Sequence, residues 1–69
     1  MVEVFKTNIT ENGKAVEIIS MLSHHLAGCK INFDLQDCDN ILRVKGDNVS
    51  ATEVIHLVSS TGAACALLD

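Results

Sequence analysis

The spacing of hydrophobic positions along this chain changes repeatedly between a two-residue and a three-to-four-residue period, and the changes divide it into six elements. Val2 to Ile9 is short and β-prone, and it ends in Thr7-Asn8, whose side chains bond nearby backbone and favour turns. Val2 and Val4 alternate with Glu3, but Phe5 breaks the alternation and Lys6 falls where the next inward residue belongs, so the pattern leaves the register of this strand open. From Glu11 to Leu26, Ala15, Ile18, Leu22 and Leu26 recur at helical intervals, Ile19 widens the stripe, and Lys14, Glu17 and His24 lie off it. This spacing predicts an amphipathic helix, with Thr10 or Asn12 accepting a free amide at its start and Gly28 supplying a left-handed stop.

Lys30 to Leu35 alternates strictly, with Ile31, Phe33 and Leu35 on one face and Asn32 and Asp34 on the other. The polar cluster Gln36 to Asn40 turns the chain, and Ile41 to Lys45 returns with Leu42 and Val44 inward, which predicts a β-hairpin. Ser50-Ala51-Thr52-Glu53 is a capping box, with Val49 and Val54 at the staple positions around it. The second helix runs through Ile55 and Val58 and stops at Gly62, after which Ala63 to Leu68 is an apolar run of strand length. Right-handed crossovers then place both helices on one face of a four-stranded antiparallel sheet, an α+β, ferredoxin-like βαββαβ sandwich. At 69 residues the chain is expected to form a single domain spanning residues 1–69 around one core.

Composition narrows the function more than it defines it. No apolar run approaches the ~20 residues that span a bilayer, so neither a membrane segment nor a membrane partner is expected, and a cytoplasmic location is. Three widely spaced cysteines, Cys29, Cys38 and Cys65, suit free thiols in a reducing compartment. The net charge of −4 and the presence of only Phe5 and Phe33 as aromatics argue against nucleic acid as a partner. No nucleophile, base and orienting acid occur together and no phosphate-cradling glycine loop appears, so no enzyme is expected.

Ile9-Thr10-Glu11-Asn12-Gly13-Lys14-Ala15 stands where heavy-metal-associated domains of copper chaperones and copper-pump ATPases carry Met-Thr-Cys-x-x-Cys-Ala. Ile31-Asn32-Phe33-Asp34-Leu35 resembles that family's Val-x-Val-Asn-Leu strand, Val49 to Ile55 resembles its Val-Ser-x-Glu-Glu-Val-Ile segment, and Gly62 stands at its late glycine. The resemblance covers essentially the whole chain. It implies that the two ligand cysteines are replaced by Glu11 and Lys14, and that the residue after the late glycine, often aromatic in the family, is Ala63. A carboxylate and an ammonium cannot replace two thiolates around soft Cu(I), so no metal or other cofactor is expected there. Glu11 and Lys14, three apart at a helix start, are expected to pair as exposed ions worth roughly 0.2–0.5 kcal/mol.

The family topology gathers Glu11, Asp37, Cys38, Asp39 and Ser59-Ser60-Thr61 at one end. An alternative site for Zn²⁺ or another transition metal would use Cys38 with Asp37, Asp39 or Glu11, against the simpler reading that acids solvate a hairpin turn. His24 and His25 point about 100° apart on their helix and chelate poorly as a pair, and His56 has no partner at i+4, so helix-end charge complementation is the expected role. Cys65 reads as a buried small hydrophobe, and Cys29 follows the helix stop beside Lys30.

The expectation is therefore a small binding module lacking the cysteine pair and acting through a protein partner or self-association. Phe5 and Ile41 are expected on the open side of the sheet as an interaction patch. A homodimer through that face or through the Lys30–Leu35 edge strand fits the same picture. A regulatory small-molecule domain would need a pocket at a dimer interface.

Overall fold

The computed structural model describes residues 1–68, with the elements in the order β1 (Val2–Thr7), α1 (Asn12–His25), β2 (Lys30–Asp34), β3 (Ile41–Lys45), α2 (Ala51–Ser59) and β4 (Cys65–Leu67). The four strands form one antiparallel sheet in the order β2-β3-β1-β4, so β2 and β4 are its edges. Both helices cover the same face. Ala15, Ile18 and Leu22 of α1 and Val54 and Val58 of α2 share one core with Phe5, Leu42 and Val44 of the sheet.

The register of β1 goes to Phe5. Phe5 lies opposite Leu42 and Glu3 opposite Val44, so Glu3, Phe5 and Thr7 face the helices while Val2, Val4 and Lys6 face away. Phe5 is fully buried in the core, which corrects its expected place on the open face. The ring buries far more apolar area than either valine, so it decides which side of the strand turns inward. Ile41 does lie on the open side, opposite Asp34 and in line with Lys6, but it is only 4% exposed. Neither residue therefore forms the accessible patch expected from the sequence.

Several boundaries shift for local reasons. β1 stops at Thr7, where the hydroxyl accepts the Ile9 amide at 3.2 Å and draws the chain out of the ladder, leaving Ile9 buried in the core. The extended residue before the first turn of α1 is Glu11, so Thr10 lies too early, and Asn12 too late, to cap the helix as expected, and no side chain caps this end. Gly28 and Gly62 both adopt left-handed backbone after the helices, at φ of 85° and 91°. The Ser50 hydroxyl accepts the Glu53 amide at 3.2 Å, and Val49 and Val54 are both buried in the core as the staple requires.

Two stability measurements follow. Phe5→Ala is expected to lower the unfolding free energy by about 3–5 kcal/mol in urea titrations, where a surface aromatic would change it by no more than ~0.5 kcal/mol. Ser50→Ala is expected to cost about 1 kcal/mol through loss of the α2 cap.

Candidate functional site

Three loops meet at the end of the molecule where β1 finishes. The β1–α1 loop is tied to the α2–β4 loop by Asn8, whose side-chain oxygen accepts the Ala64 amide at 2.9 Å and takes that residue out of β4. The hairpin between β2 and β3 is tied to β1 by three bonds. The Thr7 amide donates to the Asp39 carbonyl at 3.0 Å, the Thr7 hydroxyl to the Asn40 carbonyl at 2.7 Å, and the Asn40 amide group to the Thr7 carbonyl at 3.5 Å. Asn40 takes left-handed backbone at φ 47°, a conformation asparagine tolerates better than most residues. Asn8 and Asn40 were legible only as turn formers; that their side chains clamp the loops depends on contacts distant in sequence.

Glu11 and Lys14 come to this end as the resemblance implies, but they do not pair. Glu11 has extended backbone (φ −107°, ψ 135°), so the helical i,i+3 geometry that the ion pair needs is absent. Lys14 is half-buried, and its Nζ donates to the Thr61 carbonyl at 3.3 Å, bridging α1 to the turn after α2. A shallow cleft of about 280 Å³ between the two loops is lined by Thr10, Glu11, Lys14, Thr61 and Gly62. The ion pair formed among the described residues is Arg43 with Asp34, at 3.8 Å on the sheet.

These groups do not suit Cu(I). The cleft offers one carboxylate, one ammonium and carbonyl oxygens, with no thiolate or imidazole among its lining residues. The Thr61 hydroxyl is itself donated to the Val58 carbonyl at 2.7 Å, and the Ser60 hydroxyl to the Leu57 carbonyl at 2.6 Å, so both finish the C-terminus of α2.

Asp37, Cys38 and Asp39 form the one group of three potential metal ligands found among the described residues, with one ligand atom from each lying within 4.8 Å of the others. Asp37 is already engaged in shaping the turn: its Oδ1 accepts the Asp39 amide at 2.9 Å, and its carbonyl accepts the Asn40 amide at 3.0 Å. Cys38 is exposed, and it lines a second cleft of about 300 Å³ together with Thr7, Asp39 and the half-buried Cys65. Burial pushes the Cys65 thiol up from 9.0 to about 11, so it is neutral near pH 7. His24 and His25 pack edge to face, with ring centroids 5.6 Å apart in the last turn of α1, and His56 lies in the last turn of α2.

No protein-family model matches the chain, and no curated protein matches it. Among solved structures it is similar to the yeast copper transporter domain Ccc2a, determined in solution in apo and Cu(I)-loaded states. The TM-score is 0.81 at 22% identity, over 99% of this chain and 94% of the yeast domain. The chain therefore has the fold of a heavy-metal-associated domain. No helix among the described residues is long and apolar enough to cross a membrane.

The raised thiol of Cys65 has a pH signature. A neutral form favoured in the folded state stabilises below the unfolded pKa, and that contribution is lost as pH rises from 9.0 towards about 11. Unfolding free energy is expected to decline over this interval more steeply in the native chain than in Cys65→Ala, as measured by urea titration at matched pH.

Proposed function

We propose that this chain is a non-enzymatic binding module on the scaffold of a metal-trafficking domain, with Glu11 and Lys14 in place of a Cu(I)-binding cysteine pair. It works by contacting another protein or a second copy of itself. The observation that carries this reading is the Lys14 ammonium at 3.3 Å from the Thr61 carbonyl. It places a positive charge across the cleft between the β1–α1 and α2–β4 loops, where it repels an incoming cation and supplies no lone pair to bind one. The likeness to the yeast domain supports the scaffold, and the residues of the cleft support the loss of the ligand pair.

Titrating the chain with Cu(I), Zn²⁺ and Ni²⁺ while recording backbone NMR shifts is the direct test. No stoichiometric binding at sub-micromolar concentration is expected, and such binding centred on the hairpin end would overturn the proposal. The paired variant Glu11→Cys with Lys14→Cys is expected to gain one-to-one Cu(I) binding, because it would restore two soft donors on the same turn.

The proximity of Asp37, Cys38 and Asp39 favours a second reading, a domain that binds a transition metal through nonstandard ligands. It predicts affinity that rises with pH as the Cys38 thiol loses its proton. Cys38→Ser separates the readings: metal binding lost with the fold retained supports this one, and no effect on metal binding removes it.

A further inference from the structure

The register of the sheet divides the charge of the molecule. Lys30 and Lys45 lie side by side on β2 and β3, with Val2 beyond them on β1. In the next row Asn32, Arg43 and Val4 are in line, followed by Leu68, whose amide donates to the Val4 carbonyl at 2.9 Å. In the third row come Asp34, Ile41, Lys6 and Ala66. All of these project away from the helices, on the side opposite Phe5, Leu42 and Val44. Four of the five basic residues of the chain therefore stand on this face, all of them exposed, against one described acid, Asp34, which is already paired with Arg43. The chain as a whole carries nine acids and a net charge of −4; among the described ones Glu3, Glu11, Glu17 and Glu53 lie off this face, and Asp39 and Asp47 stand at its margins beside Lys6 and beside Lys30 and Lys45.

We propose that the open face of the sheet docks an acidic protein surface, one that presents carboxylates around a small apolar centre. The cations are separated by Val2, which is 48% exposed, by the half-buried Val4, and by Leu68, which is 39% exposed. Together they offer a flat, weakly apolar strip flanked by positive charge. An acidic partner is attracted to this face and repelled by the rest of the molecule, so the charge distribution orients the encounter as well as drawing it in. A nucleic acid fits less well because this face has no aromatic ring for stacking: Phe5 is fully buried and Phe33 pairs with Leu42 on the helix side. An anionic membrane fits less well because the face has no bulky aromatic anchors to insert.

The molecule measures 27 × 24 × 18 Å, so even its broadest face is comparable to the ~800 Å² per partner of a standard stable interface, and the strip around Val2, Val4 and Leu68 is only part of that face. The contact is therefore transient and salt-sensitive. This inference deepens the binding-module reading by naming a surface and a partner chemistry. The two fail separately, because metal titration reads the β1–α1 turn and the hairpin whereas the experiment below reads the sheet.

The test is NMR titration of the full chain with a glutamate-rich peptide containing a central pair of leucines. The expected shifts centre on Val4, Lys6, Lys30, Arg43 and Lys45, and they disappear when salt is raised from roughly 0.01 M to roughly 1 M, which shortens the screening length from ~30 Å to ~3 Å. Arg43→Glu with Lys45→Glu is expected to weaken binding on the order of tenfold or more. The milder Arg43→Gln, which removes charge without reversing it, should weaken it less, and Glu17→Lys on α1 should leave it unchanged. Circular dichroism on each variant confirms the fold. The proposal is overturned by shifts centred on the helices, by no binding at low salt, or by equal binding of a lysine-for-glutamate peptide. Tighter binding of an oligothymidylate or of phosphatidylserine vesicles overturns it too, as does self-association through this face.

Discussion

Pairing of Phe5 with Leu42 across β1 and β3 sorts the side chains of the sheet to one side or the other. Side-chain direction in a strand has a period of two, so a slip of one residue in β1 would expose Phe5 and bury Lys6. The ring settles the matter because it lies fully buried between the sheet and both helices. What β1 presents on the open face, Val2, Val4 and the Lys6 cation, follows from that choice.

At the end of the sheet a different economy operates. Thr7, Asn8 and Asn40 use polar groups that the strand ladders leave free to bind the hairpin and the α2–β4 loop against β1. Lys14 closes the same end from α1 by reaching the Thr61 carbonyl. The result is a set of loops held in place by neutral and singly charged hydrogen bonds, with oxygen-rich surroundings and Cys38 as an exposed sulfur at the margin. Such an end is well suited to holding a shape and poorly suited to holding a soft ion.

Much of this was legible in the sequence, and the exceptions share a cause. The strict alternation of Ile31, Phe33 and Leu35, the helical stripe from Ala15 to Leu26 and the capping box at Ser50 are local signals, and each reports an element that forms. The register of β1 was not legible, because Val2, Val4 and Phe5 place apolar residues on both faces and only the distant partner Leu42 breaks the tie. The capping residue of α1 was hidden by the same kind of ambiguity, although the helix begins where the stripe places it: Thr10, Glu11 and Asn12 all precede an apolar stripe, and the backbone makes Glu11 the cap. The end of the Lys14 side chain was beyond sequence spacing, since its partner, the Thr61 carbonyl, lies 47 positions away.

The division of charge also changes what net charge means for this molecule. With an isoelectric point near 5.1, the chain is an anion at neutral pH, and a description by net charge alone would have it shun polyanions. A protein whose cations share one flat surface behaves instead as an oriented dipole. The expected consequence is retention on a sulfonated ion-exchange matrix in dilute buffer, held through that surface with the acidic side facing the solvent. Adsorption of this kind depends on the arrangement of charge in space, which a titration of the whole molecule averages away.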